Sequence, residues 1–370
     1  MKKKILISLF LLSITLPNLV FGPFFSGGAS ATNEKRELAE FPKTDMASLT
    51  DFPSGFESYY NDHLPFKSYF VSLNNKIEMN VFRNTSVDSV KIGKNNWLFY
   101  MISEEGENSL ADYQKTNIYS KEQCEEIARR IGRVREFFTE QGAEQFCYYV
   151  APSKESIYSD YMPKTISAPA DKESRIETFA DYMRENGRTD FAYLYDELKA
   201  LSEKYQVYFK YDTHLNNIGA FGISQRMTKD MLGKSVSEDQ VLIEKYGVFV
   251  GDLGEMISQE ASLRDDCDYA IKNYYPDVQS AVLQRTVEGE ELFQEIRTTS
   301  ENHRTLMLIG DSYRLREEPF FEGLYDRIIS VHIDAFQPEM AGEYEPDDVI
   351  ILTVERNQAY MEKIDEYLGI

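Results

Sequence analysis

Short apolar runs that alternate with helical segments constrain the fold of this chain more than any other feature. Strand-like runs lie at residues 145–150, 191–195, 306–309, 328–333 and 349–354. Helical segments are predicted around them, at about 120–142, 172–186, 217–232 and 358–368. Such alternation is typical of parallel strands joined by crossover helices. The sequence therefore predicts an α/β fold with a mostly parallel sheet flanked by helices, and a ligand site at the carboxyl ends of the strands.

Two segments outside this pattern complete the predicted main domain, which spans residues 51–370. Residues 51–90 indicate a helical entry to the domain. Residues 234–300 are acidic and less periodic, and they indicate an insertion that precedes the strand at 306–309 and lies near the ligand-binding face. With 42% hydrophobic residues, the chain has enough apolar side chains to form a substantial core.

The N-terminal segment, residues 1–31, predicts export from the cytoplasm. Three lysines at positions 2–4 precede an uncharged apolar stretch at 5–25, and Ala29-Ser30-Ala31 offers a small-residue cleavage site. The stretch of about 21 residues is also long enough to cross a bilayer once, so both a cleaved signal peptide and a membrane anchor are compatible with it. In either case the bulk of the chain is predicted outside the cytoplasm, after a polar linker at 32–50.

Composition excludes several classes of function. A net charge of -22 repels nucleic acid phosphates, so a DNA or RNA partner is not expected. Three cysteines, at 124, 147 and 267, are too few for a disulfide framework. No His/Asp/Glu cluster has metal-ligand spacing in the sequence, and neither a metal nor another cofactor is predicted.

Ser312 is the candidate nucleophile. It ends the sequence Gly310-Asp311-Ser312, directly after a strand-like run and before a segment that can begin a helix. Glycine allows a sharp bend there, and the start of a helix directs backbone N–H groups toward an oxyanion on a substrate. The competing interpretation is that Asp311 or Ser312 caps the helix.

His214 and Asp212 are the candidate base and its orienting carboxylate. A serine hydroxyl needs a base, and imidazole has a suitable pKa near neutral pH. The chain has four histidines, at positions 63, 214, 303 and 332. His214 stands out because Asp212, two residues earlier, shares its face if the segment is extended. Alternatively, Asp212 or Thr213 caps the helix that is predicted to begin near Asn217.

These motifs resemble the alginate O-acetyltransferase-like branch of the SGNH hydrolase superfamily, which is related to the DHHW proteins. Further similar segments lie at 56–67, 97–100, 151–158, 162–163 and 251–253, so that the similarity covers roughly residues 50–360. The resemblance implies an SGNH-hydrolase-like (flavodoxin-like) fold, with Ser312, His214 and Asp212 as its catalytic residues. Two features depart from the family pattern. Leu215 replaces the usual tryptophan after the histidine, and the N–H of Ser312 is the only oxyanion donor that can be assigned.

The resemblance also implies a function. It favours an exported O-acetyltransferase that acts on a cell-surface or secreted polysaccharide through an acetyl-serine intermediate. The acetyl donor would be a membrane-bound acyltransferase, and the protein itself would contact the membrane only through its N-terminal segment. Two alternatives stay open: a carbohydrate esterase or deacetylase with the same triad, and a catalytically silent glycan-binding assembly protein.

Several other positions have two interpretations. The aromatic run of Trp97, Phe99 and Tyr100 is able to stack on a sugar but is more typical of a core, and Tyr211 either lines the site or packs beside the base. Lys154 lies near the site by resemblance, although an exposed loop lysine is the default expectation. The segment Gly251-Asp252-Leu253-Gly254 approaches the pocket or, as the pattern favours, forms a plain turn.

Overall fold

The computed structural model describes residues 7, 8, 12, 39–42, 52–63, 67–85, 87–103, 108–257, 259, 263–264, 266–288 and 290–370. Most of the predicted export segment (1–31) and linker (32–50) therefore lies outside the described residues. Across these described ranges, no helix combines the length and apolar character that crossing a membrane requires.

The chain forms two compact units, the first of which comprises residues 1–86 and 255–259. Its helices are α1 (Phe52–Asp62) and α2 (Lys67–Ile77), and a π-helical turn at Glu78–Phe82 follows. They lie where a helical entry is predicted. In this unit the Phe41 ring packs edge-on against Phe52 and Phe56, and the Asn75 side chain donates a hydrogen bond of 2.7 Å to the Ile257 carbonyl.

The second unit comprises residues 87–254 and 260–370, and it is built on a seven-stranded sheet. A small hairpin of β1 (Val90–Ile92) and β2 (Leu98–Tyr100) precedes the sheet. The sheet strands are β3 (Gln145–Ala151), β4 (Phe191–Tyr193), β7 (Ser280–Glu288), β8 (Glu290–Thr298), β9 (Thr305–Gly310), β10 (Arg327–His332) and β11 (Asp348–Val354). The strand order is β4-β3-β11-β9-β10-β8-β7, and the first five strands are mutually parallel. β8 pairs antiparallel with both of its neighbours, β10 and β7. The predicted mostly parallel α/β fold is confirmed.

Helices cover both faces of this sheet. In chain order, the helices from residue 109 onward are α3 (Ser109–Tyr113), α4 (Lys121–Glu140), α5 (Lys154–Ile157), α6 (Arg175–Glu185), α7 (Tyr195–Ser202), α8 (Asn217–Leu232), α9 (Asp252–Met256), α10 (Arg314–Phe321), α11 (Glu339–Tyr344), α12 (Gln358–Glu362) and α13 (Ile364–Leu368). The central strand β11 is buried along its whole length. Its alternate residues enter two separate apolar clusters, Ile350 and Leu352 on one face and Val349 and Ile351 on the other. The final helical segment, predicted as one helix, is broken at Lys363.

Residues 234–300, predicted as an insertion, contain two hairpins. β5 (Leu242–Phe249) and β6 (Asp266–Lys272) pair with each other. β7 and β8 instead extend the central sheet, because β8 pairs antiparallel with β10. Half of this segment is therefore an integral edge of the sheet. Its acidic composition gave no strand signal.

Candidate active site

Ser312 lies just beyond the carboxyl end of β9, at the turn into α10. Gly310 is required at the end of the strand, because a Cβ there would lie 2.2 Å from the Leu352 carbonyl oxygen of the neighbouring β11. The Asp311 carboxylate then fixes the turn. One of its oxygens accepts the Tyr313 N–H at 3.0 Å, and the other accepts the Val354 N–H and the Asn357 amide, both at 2.9 Å.

The helix start differs from the expectation in one respect. The first helical residue is Arg314, and the N–H groups of Tyr313, Arg314 and Leu315 already have acceptors at Asp311 and Ser312. These groups are not available to an oxyanion. Within the described part of the chain, the Ser312 N–H has no acceptor, which leaves it open to a ligand atom.

His214 lies between Ser312 and Asp212 in a continuous chain of hydrogen bonds. Its Nε2 is 2.9 Å from the Ser312 Oγ, and its Nδ1 is 2.7 Å from the Asp212 Oδ1. Asp212 is buried, with a side chain 6% exposed, whereas the imidazole is 24% exposed and so accessible. The structure thus brings together the three residues that the sequence singles out, across 98 positions of chain between His214 and Ser312.

The local backbone is a turn and not the extended segment that the sequence argument assumed. The His214 N–H donates to the Asp212 Oδ1 at 2.7 Å, so the carboxylate closes a two-residue Asx turn and meets the imidazole on the same side. The capping alternative is wrong, because α8 is capped by Asn216, whose side chain accepts the Gly219 N–H. Asp212 and Thr213 are thereby free for the site.

Asp252 is a site residue that sequence reasoning did not select. Its Oδ1 accepts the Thr213 N–H at 2.8 Å and its Oδ2 accepts the Thr213 hydroxyl at 2.5 Å, while its own N–H donates to the Asp212 Oδ2 at 2.8 Å. Gly251 permits this approach, since a Cβ there would lie 2.1 Å from the Tyr211 carbonyl oxygen. The glycine-rich segment 251–254 therefore reaches the site and is not a plain turn.

Lys154 contradicts the default expectation of an exposed loop lysine. It is 3% exposed, and its Nζ donates to the carbonyls of Phe209, Lys210 and Asp212 at 3.1, 3.2 and 2.7 Å. The Trp97 and Phe99 rings lie 5.6 and 5.4 Å from the same ammonium. The buried cation therefore holds together the backbone that leads into Asp212.

An aromatic side chain lies beside the base although Leu215 replaces the family tryptophan. The Tyr313 ring centroid is 5.4 Å from that of His214, and its hydroxyl donates to the Thr213 carbonyl at 2.7 Å. Tyr313 thus joins the nucleophile turn to the base loop. Leu215 is fully buried in the core.

The pKa values of the Asp212 and Asp252 carboxylates are shifted in opposite directions. Burial acts to raise the pKa of Asp212, but hydrogen bonds from the His214 ring and from the N–H groups of Asp252 and His214 outweigh it, so the pKa lies below its ordinary value. Partial burial raises the pKa of Asp252, whose side chain is 38% exposed, and the nearby charge of Asp212 raises it further. Asp212 is therefore ionised over a wider pH range than Asp252.

The remaining candidates are buried aromatic residues and histidines with other partners. Trp97 and Phe99 are buried in the core, as is Tyr211, and Trp97 packs against Tyr158 and Tyr161. The three remaining histidines, His63, His303 and His332, make their hydrogen bonds or ion pairs with Tyr59, Asp326 and Asp334.

The fold also forms a carboxylate–imidazole cluster that the sequence does not display. Among the described residues, Asp212, His214 and Asp252 form one group whose potential ligand atoms lie within 4.8 Å of one another. The His214 Nδ1 and both Asp212 oxygens are engaged in the hydrogen bonds given above. Hydrogen bonds therefore connect the side chains of this cluster to one another and to Thr213.

Comparisons with known proteins agree with this architecture. Residues 90–333 match the family described as SGNH hydrolase-like domain, acetyltransferase AlgX. No curated protein matches the chain. Among solved structures, the chain is similar to a DHHW family protein from Eubacterium siraeum DSM 15702, with a TM-score of 0.52 and 16% identity, covering 76% of this chain and 96% of that one. It is also similar to Bacillus cereus PatB1 with a sulfonyl adduct, with a TM-score of 0.53 and 14% identity, covering 76% and 99%.

At these identities the structural likeness establishes the fold alone. The family match rests on sequence and spans well over half of the chain, including the base loop at 212–214 and the nucleophile turn at 310–312. The chain therefore belongs to the family of SGNH hydrolase-like acetyltransferases that AlgX represents.

Proposed function

We propose that this protein is a serine-dependent O-acetyltransferase that acts on a polysaccharide outside the cytoplasm. The observation that carries the proposal is the chain of hydrogen bonds from Ser312 through His214 to Asp212, beside a Ser312 N–H that has no acceptor among the described residues. A base in contact with the hydroxyl and an oriented imidazole are what an activated serine requires.

In the first half-reaction, Ser312 attacks the carbonyl carbon of an acetyl ester. The proton of its hydroxyl passes to the His214 Nε2, whose lone pair is available because Nδ1 carries its proton toward Asp212. The Ser312 N–H stabilises the oxyanion of the tetrahedral intermediate. The proton on His214 then moves to the leaving oxygen, the ester bond breaks, and acetyl-Ser312 remains.

In the second half-reaction, a sugar hydroxyl takes the place of the leaving group. His214 removes its proton, the alkoxide attacks the acetyl carbonyl, and collapse of the intermediate returns the proton to the Ser312 Oγ. The product is an O-acetylated sugar and free enzyme. Water in place of the sugar would give acetate, so exclusion of water and positioning of the acceptor decide between transfer and hydrolysis.

Different observations support the proposed acceptor, the proposed donor and the proposed location. Family membership supports acetyl transfer, and the resemblance to alginate O-acetyltransferases supports a polysaccharide acceptor. The basic and apolar N-terminal segment supports export, with a membrane-bound acyltransferase as the donor on the same side of the membrane. Fractionation of cells that express the chain with and without residues 1–31 tests the location. Retention of the full chain in the cytoplasm would contradict export.

The function is tested with a chromogenic acetyl ester as donor and a panel of oligosaccharides as acceptors. We expect the wild type to release the chromophore and to add acetyl mass to an oligosaccharide, and Ser312→Ala to do neither. The matched control is Ser330→Ala, a buried serine within β10. Rapid acetate release without any acetylated sugar would identify an esterase instead, and undiminished turnover by Ser312→Ala would refute the serine mechanism.

A further inference from the structure

The carboxylate of Asp252 is the second acid, after Asp212, that lies close to the His214 imidazole. Besides its hydrogen bonds to Thr213, the Asp252 Oδ2 is 3.6 Å from the His214 Nδ1. No other described carboxylate except Asp212 is within ion-pair distance of this imidazole. The His214 ring therefore faces two acids on its Nδ1 side.

The contacts of Asp252 all converge on the base loop. Its carboxylate binds both the N–H and the hydroxyl of Thr213, the residue between Asp212 and His214. Its N–H holds the Asp212 Oδ2, which leaves the Asp212 Oδ1 for the imidazole. The Asp252 side chain is 38% exposed, so these contacts do not arise from burial in the core.

From this geometry we propose that Asp252 is a positioning residue for the acetyl-transfer reaction. Its main-chain N–H fixes which oxygen of Asp212 faces His214, and its side chain adds a negative charge that favours the imidazolium formed when Ser312 gives up its proton. The side-chain charge is the part of this role that a substitution at position 252 removes. This inference rests on the proposed function of the same site and adds to it a fourth side chain, beyond the serine, histidine and aspartate.

Several groups face the His214 imidazole, and each substitution below removes one of them. They are the Asp212 and Asp252 carboxylates, the Thr213 hydroxyl at 3.3 Å from Nδ1, the Ser312 hydroxyl and the Tyr313 ring. Asp252→Asn removes one charge and keeps an oxygen that can accept the Thr213 N–H. Thr213→Val removes the hydroxyl and keeps the Asp252 charge.

The experiment measures kcat and KM for acetyl-ester turnover against pH in the wild type, Asp252→Asn, Thr213→Val and Ser312→Ala. For Asp252→Asn we expect kcat to fall about tenfold with little change in KM, and the acid limb of kcat/KM to move to lower pH. The direction follows because the variant lacks the negative charge that lies 3.6 Å from the His214 Nδ1. Thr213→Val is expected to keep the wild-type midpoint.

Each outcome decides the inference. A wild-type kcat and pH midpoint in Asp252→Asn would overturn it, and so would a loss of kcat without any change of midpoint, which would indicate support of the loop alone. Thermal unfolding of each variant excludes a folding defect as the cause. If Ser312→Ala remains active the proposed function itself fails, whereas an inactive Ser312→Ala beside a wild-type-like Asp252→Asn removes only the role of Asp252.

Discussion

At the scale of single residues, the base loop is held by side chains from several separate parts of the chain. The Lys154 ammonium donates to the Asp212 carbonyl, the Asp252 carboxylate accepts the Thr213 N–H, and the Tyr313 hydroxyl donates to the Thr213 carbonyl. A base that transfers a proton in both half-reactions must keep its geometry, because small displacements cost large factors in rate.

Lys154→Met is expected to disable the enzyme although Lys154 touches no reacting atom. The substitution removes the Lys154 donor from the Phe209 and Asp212 carbonyls, whereas the Lys210 carbonyl keeps the Leu98 N–H, and an unpaired buried polar group costs about 1–3 kcal/mol. We expect kcat/KM for ester turnover to fall about 100-fold as the loop relaxes. The matched control is Lys199→Met, which removes an exposed lysine with a single 3.3 Å bond to the Ile157 carbonyl. Equal activity of the two variants would contradict the assigned role of Lys154.

The two acids of the site predict opposite effects on stability. The lowered pKa of Asp212 means that its ionised form stabilises the fold above its unfolded pKa of about 4, and that this stabilisation is lost as pH falls through the lower folded value. The raised pKa of Asp252 means that its charge opposes folding at neutral pH. Asp212→Asn should therefore unfold at a lower temperature than Asp252→Asn at pH 7, and this difference in unfolding temperature should become smaller toward about pH 3. A difference that persists unchanged in acid would contradict this assignment.

Sequence identified the three residues of the triad as candidates, whereas it placed Lys154 near the site by resemblance alone and Asp252 only as part of the segment 251–254. Asp212 and His214 are two positions apart, and the Asx turn closed by the Asp212 carboxylate places them together, where the sequence argument assumed an extended segment. Asp252 lies 40 positions from Asp212, and only the close approach of Gly251 to Tyr211 brings it near. Lys154 appears as a loop residue in the sequence, because burial of a lysine depends on carbonyls that a distant segment provides.

At the scale of elements, the junction of β9, β11 and α10 sets the position of the nucleophile. Gly310 lies against the Leu352 carbonyl of β11, and the following turn is closed by the Asp311 carboxylate. The turn therefore depends on two parallel strands being adjacent, which places Ser312 at the carboxyl edge of the sheet.

Gly310→Ala should destabilise the fold and impair catalysis together. Its Cβ would lie 2.2 Å from backbone, which cannot rotate away as a side chain can, and such overpacking costs about 1–3 kcal/mol. Thermal or denaturant unfolding and ester turnover measure both effects. The matched control is Gly342→Ala in α11, where the nearest atom is a side-chain oxygen at 3.5 Å and alanine favours the helix by up to about 1 kcal/mol. Equal stability of the two variants would contradict the junction described here.

Elements with strong local signals were predictable, and those that depend on pairing were not. Four of the five parallel strands, all except β4, are mostly buried apolar runs, and α4 begins at Lys121 after the N-cap Ser120, with the capping box that Ser120 and Gln123 suggest. β7 is the edge strand of the sheet, β8 lies between it and β10, and the two strands pair as a hairpin that carries several charged residues. Their place is set by β10, a contact that no local pattern encodes.

At the scale of the whole molecule, the sheet and its helices belong to one compact unit that carries the complete site. This unit contains the family match at 90–333 except for residues 255–259, which belong to the first unit together with residues 1–86. Catalysis and the proposed export therefore map to different parts of the chain. The net charge of -22 further favours an uncharged or cationic surface as the neighbour of the enzyme over nucleic acid.

The most direct test is mass spectrometry of the protein after brief exposure to an acetyl ester, with peptide mapping to locate the acetyl group. The account predicts one acetyl group on Ser312 in the wild type, its transfer to an added oligosaccharide, and no acetylation of Ser312→Ala. Ester turnover at the wild-type rate in Ser312→Ala, or an acetyl group that resides on another side chain and passes from there to the sugar, would contradict it.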